Sequence, residues 1–158
     1  NNYLDLDNII DYYLFINLCY GYDNVGKNWI FYKENAVSQF NILLWDADAT
    51  WGRKHNGEEL GFDLIVSNQL FTRLLEQNPN NFKQKLKLRW NELRSNQYHE
   101  EALFLRFQEH FEQLRAFKII NYENRIWNTT INLDNEEAYI QDWIQNRLIF
   151  LDSYYNRL

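Results

Sequence analysis

Beginning at Ser67 the sequence holds a helical hydrophobic period almost to its last residue, which leaves little room for any other architecture. Ser67 and Asn68 cap a short helix over Leu70–Glu76, which must stop before Asn78-Pro79 because a residue preceding proline avoids the α region. Asn80 or Asn81 opens the next, with Phe82, Leu86, Trp90 and Leu93 at i, i+4, i+8 and i+11. A long amphipathic helix is expected from His99 to about Trp127, striped by Leu103, Phe107, Phe111, Leu114 and Phe117. A last helix covers about Asn135 to Tyr155, and Asp134, Glu136 and Glu137 suit the positive end of its dipole.

The first part of the chain is different. Asp5 and Asp7 precede a helical run from Ile9 to Leu18 that stops at Gly21. After it, Trp29–Tyr32 and Phe40–Trp45 have the apolar and aromatic composition of strands, with Gly26 as a turn residue before them. Arg53–Gly61 is polar, carries two glycines and reads as a surface loop. The expected fold class is therefore α+β, mainly α with a small β-ribbon, in a single domain over residues 1–158.

Composition excludes several functions. Aromatics at 18% with only five glycines and one proline rule out a disordered chain. A net charge of −6 with no basic stripe argues against a nucleic-acid partner, and no apolar run nears the ~20 residues of a membrane span. Cys19, the single cysteine, excludes an internal disulfide or cysteine zinc cluster and is read as a small buried hydrophobe. His55, His99 and His110 lack the spacing of a zinc site. Trp90 is read as a packed aromatic flanked by the surface charges Arg89 and Arg94. The absence of methionine and the opening Asn1-Asn2-Tyr3 predict a piece of a longer protein.

Chemistry concentrates between Tyr22 and Gly52. Asp23 and Asn28 have the Asp-x-x-x-x-Asn spacing with which a kinase catalytic loop sets a base and a metal ligand, a spacing that turns also favour. Asp46 and Asp48 follow the apolar run Ile42-Leu43-Leu44-Trp45. If the strand continues, its two-residue period puts both carboxylates on one face, where their repulsion calls for a cation such as magnesium. The other reading is a turn before Trp51-Gly52, capped by these acids and Thr50.

The order of features carries a resemblance. Asp7-Asn8-Ile9-Ile10-Asp11-Tyr12 leads to Tyr22-Asp23-Asn24, then Asn28-Trp29-Ile30-Phe31-Tyr32-Lys33 and Leu44-Trp45-Asp46-Ala47-Asp48-Ala49-Thr50-Trp51-Gly52. Leu88-Arg89-Trp90-Asn91-Glu92-Leu93-Arg94 and Ile140-Gln141-Asp142-Trp143 with Arg147 follow. Over almost its whole length the chain resembles the C-terminal portion of the CotH kinase family, the spore coat protein H proteins. The resemblance implies an atypical protein-kinase-like C-terminal lobe that moves a phosphoryl group from ATP to serine in protein substrates. It implies Asp23 as catalytic acid/base, Asn28 and Asp46 as ligands of Mg2+ (or Mn2+), Asp48 as an additional ligand, and Lys27 as a contact to the transferred phosphate unless it stays solvated. It also implies a spore coat or cell-surface location. Gly21-Tyr22 stands where ordinary kinases have His-Arg, and Ala47-Asp48 where they have Phe-Gly. A Gly-rich loop and a strand lysine are absent, so the N-terminal lobe is expected to be missing and the isolated chain is expected to fold yet transfer no phosphate.

Two other readings use the same residues. Asp46-x-Asp48-x-Thr50 opens aspartate-nucleophile phosphatases, with Asp46 as nucleophile and Asp48 as acid/base, but these need a parallel sheet wound with helices. A non-catalytic interaction module, a pseudokinase of a spore coat or cell-surface assembly, would use the abundant Tyr and Trp for protein contacts. A calcium loop fails, because the twelfth position from Asp46 is Gly57.

Overall fold

Helix α1 (Leu6–Leu18) is the axis around which the other elements assemble. The computed structural model describes residues 3–158. Asp5 caps α1, its carboxylate accepting from the N–H groups of Asp7 and Asn8 at 3.1 Å each. Ile9, Ile10, Tyr13, Leu14 and Ile16 are buried as their spacing predicts. The helix ends three residues short of Gly21. Tyr20, not the glycine, takes the left-handed conformation (φ 56°), while Gly21 N–H returns to Ile16 C=O at 2.8 Å.

Strands β1 (Trp29–Tyr32) and β2 (Asn41–Leu44) pair antiparallel, with Trp29 opposite Leu44 and Tyr32 opposite Asn41. This ribbon is the whole sheet among the described residues, so the parallel scaffold of an aspartate-nucleophile phosphatase is absent from them. One face packs on α1, where Trp29 meets Tyr12 and Phe71 (ring centroids 6.4 and 6.1 Å). Asn8 fixes the ribbon to the helix: its amide oxygen accepts from Ile42 N–H at 2.7 Å and its NH2 donates to Ile42 C=O at 3.4 Å.

The helical half contains α2 (Gln69–Gln77), a 3-10 turn (Pro79–Asn81), α3 (Phe82–Arg94), α4 (Glu100–Ala116), α5 (Ile119–Trp127) and α6 (Leu133–Asn156). Asn68 caps α2 and Asn132 caps α6, each with its side-chain oxygen on two backbone N–H groups. Asn78, Asn80 and Asn81 are all left-handed, a conformation asparagine tolerates, and together they turn the chain from α2 into α3. The expected single helix from His99 to Trp127 is two. Phe117 is 71% exposed rather than part of the buried stripe, and Lys118 (φ 52°) breaks the axis, so α5 leaves the core.

Helix α6 closes the domain. Trp90, fully buried, donates from Nε1 to Asp152 at 2.8 Å, and Arg94 grips the same carboxylate with two N–H groups. Arg89 does likewise with Asp11 of α1. These two arginines tie helices together rather than decorate a surface. The buried Arg147 donates to the main-chain carbonyls of Asn17, Phe62 and Leu64, so a cation sits at the negative C-terminal end of α1. Burial pulls its pKa down to about 10, which leaves it charged at neutral pH. None of the described helices is long and apolar enough to cross a membrane.

Candidate functional site

The open end of the ribbon is where the acids meet. Beyond the Trp29–Leu44 pair one more ladder bond forms, from Trp45 N–H to Asn28 C=O at 3.1 Å. Then both chains turn sharply: Asn28 (φ 58°) and Asp46 (φ 51°) are left-handed on opposite sides of the mouth. Asn and Asp tolerate this conformation better than other side-chain-bearing residues, which suits them to the two turns. Asn28 Nδ2 donates to Asp46 C=O at 3.4 Å, which brings the two residues together.

Asp23 enters from a 3-10 turn (Tyr22–Val25) between α1 and the ribbon. Its carboxylate pairs with Lys27 Nζ at 3.0 Å, while Lys27 N–H closes the turn on Asp23 C=O at 3.0 Å. Asp23 is one-quarter exposed and Lys27 two-thirds exposed, so the pair lies at the rim of the mouth. The Asp23 carboxylate, through its hydrogen bond and then its charge, holds the Lys27 ammonium above its usual pKa, and the Asp46 charge adds to this. Asp23 and Asp46 therefore both act on Lys27, and Asn28 is tied to Asp46 by its hydrogen bond.

Asp48 does not join them. Strand β2 ends at Leu44 and Asp46 is left-handed, so the two-residue period is broken and the two carboxylates do not share a strand face. The Asp48 carboxylate accepts from Ala49 N–H at 2.9 Å and Thr50 Oγ1 donates to Ala47 C=O at 2.8 Å, which makes this a turn. The turn feeds a firm anchor. Trp51 N–H bonds Cys19 C=O at 2.7 Å, and its ring meets Phe107 of α4 edge-on at 5.0 Å. Gly52 has φ +82°, and a Cβ there would lie 2.6 Å from the Trp143 ring, so the position admits only glycine. Tyr139 OH donates to Gly52 C=O at 2.6 Å, which ties the segment to α6.

Two buried asparagines fix main chain in a way that apolar spacing alone does not report, Asn24 at this site and Asn17 at the C-terminal end of α1. Asn24, 1% exposed, donates from Nδ2 to the carbonyls of Asn28, Trp45 and Asp46 at 3.1, 2.9 and 3.5 Å, and its own carbonyl accepts from Tyr12 OH at 2.6 Å. Asn17 pairs both amide atoms with Val66 N–H and C=O. In sequence Asn24 looks like any turn asparagine; the signal for Asn17 is a polar residue on an otherwise apolar helix stripe.

The side-chain oxygens that would hold a cation here are hard ones, the Asp46 carboxylate and the amide carbonyl of Asn28. Among the described residues no group of three or more His, Cys, Asp or Glu side chains comes close enough to hold a metal by itself. That is compatible with magnesium in a phosphoryl-transfer site, where one or two protein oxygens act with waters and the nucleotide's own phosphates.

The family model for the CotH kinase protein matches residues 1–151. Among curated proteins, the inner spore coat protein H of Bacillus subtilis (strain 168) is 25% identical over 154 residues, which is 94% of this chain and 41% of that relative. The chain thus spans about two-fifths of the length of the relative it matches. By the extent of the family match, the chain belongs to the CotH kinase protein family.

Proposed function

We propose that this chain carries the catalytic and metal-holding half of an ATP-dependent protein serine kinase, with a kinase-like C-terminal lobe as its scaffold. The observation that supports it best is the convergence of Asp23, Asn28 and Asp46 on one ribbon mouth, with the latter two held in left-handed conformations across from each other. Asp23 accepts the proton of the serine hydroxyl, its carboxylate being partly exposed at the rim and paired with Lys27. Asp46 and the Asn28 carbonyl hold Mg2+ or Mn2+, which when bound neutralises charge on the phosphates of ATP. Lys27 then exchanges its bond with Asp23 for a phosphate oxygen. Asp48 serves the turn first and is at most an outer ligand. Its likeness to an inner spore coat protein supports a spore coat location, and a cell-surface one is the alternative.

The test uses the product of the full reading frame that encodes this chain, labelled ATP, dephosphorylated casein as serine acceptor, and Mg2+ or Mn2+. Label transfer is expected, with Asp23→Asn slowing it by about 10²–10⁴-fold and Asp46→Asn, which removes a metal ligand, losing it at metal concentrations that saturate the wild type. No transfer from a folded protein with either metal would overturn the reading. That result would favour a non-catalytic interaction module. The observation in favour of the module is the set of exposed apolar faces: Ile30, Leu43 and Trp45 on the ribbon, and Tyr122, Ile126 and Trp127 on α5.

A further inference from the structure

We propose that Asn24 is the positioning residue of this site: its buried amide sets the backbone on which Asn28 and Asp46 present their oxygens to the metal–nucleotide complex. This rests on the reading above, and it adds a residue that touches none of the reacting groups.

The geometry is specific. Asn24 follows Asp23 in the same 3-10 turn, yet its side chain points inward to the ribbon mouth while that of Asp23 faces Lys27 at the rim. Its single NH2 group meets three carbonyls, one before β1 (Asn28) and two after β2 (Trp45 and Asp46). These are the residues where both strands leave the ladder. No strand partner is left for the carbonyls of Trp45 and Asp46, so the amide stands in for one. The clamp is itself held from behind, because Tyr12 of α1 donates to the Asn24 main-chain carbonyl. Rigid helix, turn, amide and metal-bearing backbone therefore form one chain of contacts. Such supporting partners typically alter metal affinity by about 10–100-fold when removed.

A neighbouring residue gives an independent handle. Gly21 has a negative φ of −73°, so alanine is allowed there by backbone, but its Cβ would lie 2.8 Å from Asn24 Oδ1. The only thing that must move is the end of the Asn24 side chain. Gly21→Ala therefore displaces the clamp without deleting it. Asn8 supplies the control. It makes a comparable amide-to-backbone clamp on Ile42, but on the strand's inner edge against α1 and away from the mouth.

The experiment measures Mn2+ affinity by electron paramagnetic resonance in the presence of ATP, on the product of the full reading frame that encodes this chain, as wild type and as Asn24→Ala, Gly21→Ala and Asn8→Ala. Backbone chemical shifts of Asn28 and Asp46 are recorded without metal. Asn24→Ala and Gly21→Ala are expected to weaken Mn2+ binding by about 10–100-fold and to move the shifts of both residues away from left-handed values. Asn8→Ala is expected to lower thermal stability while Mn2+ affinity stays within about twofold of wild type, since second-shell effects belong to residues that orient ligands. Equal Mn2+ affinity in Asn24→Ala and Asn8→Ala, or unchanged Asp46 shifts in Asn24→Ala, overturns the proposal. If the wild type binds no Mn2+ with ATP, the kinase reading fails and the proposed role of Asn24 towards metal goes with it, whereas the shifts separately decide whether Asn24 sets the backbone. Should Asn24→Ala not fold, Gly21→Ala answers both questions with the amide still present.

Discussion

Tyr155→Phe is expected to stabilise the protein. The Tyr155 ring is fully buried, 4.8 Å from the Trp90 ring and 5.1 Å from that of Tyr154, and its hydroxyl has no hydrogen-bond partner among the described residues. Burying a hydroxyl without a partner costs about 1–3 kcal/mol. Deleting the oxygen keeps the ring contacts and leaves a void smaller than a methyl group, which costs under about 1 kcal/mol. A net gain of about 1–2 kcal/mol at pH 7 follows, or about 2–8 °C in Tm for a chain of this size. The effect grows with alkalinity. Burial raises the phenol pKa well above its usual value of 10.0, so above pH 10 the unfolded chain releases a proton that the folded one retains. Stability conferred by the protonated phenol is whole below pH 10 and declines as pH rises further, by about 1.4 kcal/mol at pH 11. The phenylalanine variant has no such loss. Urea titrations followed by tryptophan fluorescence at pH 7, 10 and 11 should therefore show a gap that widens at the highest pH. A variant less stable than wild type by 1 kcal/mol or more, with a gap independent of pH, would refute the reasoning and identify a partner for the hydroxyl.

Arg147→Ala leaves the buried Asn17 carbonyl and the part-buried carbonyls of Phe62 and Leu64 short of a donor and should cost about 3–5 kcal/mol in urea denaturation. Arg147→Lys should not restore it, since one ammonium cannot span the fork that guanidinium makes. Gly52→Ala combines a left-handed φ with overlap on Trp143 and should cost about 2–5 kcal/mol, read as a fall in Tm; an unchanged Tm would show that the segment reroutes. Cys19 is buried and its pKa is pushed up to about 12, so iodoacetamide at pH 8 should alkylate the folded chain about a thousandfold more slowly than the urea-unfolded one, measured by mass spectrometry.

What was legible in the sequence is what periodicity and local chemistry encode. The apolar spacing of α1, α3 and α6 matches their buried faces, and the asparagine and aspartate caps stand at or beside the expected positions. Spacing also picked out Asp23, Asn28 and Asp46; Asn28 bonds the Asp46 carbonyl, while Asp23 pairs with Lys27 at the rim. The break at Lys118 was hidden because a lysine carries no signal for a left-handed conformation, and Phe117 continues the stripe in sequence while leaving the core in space. Asp48 misled because the two-residue period applies only while a strand lasts, and Asp46 ends it. Asn24 and Arg147 act on main-chain carbonyls brought near by the fold, from 21 residues away at Trp45 and 130 residues away at Asn17, and no local pattern reports such partners.

The bond between Arg147 and Asn17 also has a consequence in time. During synthesis α1 and the turn bearing Asp23 leave the ribosome long before α6, so the C-terminal end of α1 waits for its cation, and Gly52 for Tyr139, until 87 or more further residues exist. Contacts so distant in sequence form late, after the entropy of closing the intervening chain has been overcome. The ribbon mouth can be sketched early by Asn24 and Tyr12, but it is locked only once α6 has been made. A nascent chain that has not yet reached α6 would thus carry its acids without a finished site, and synthesis of that helix would itself mark the onset of any activity at that mouth.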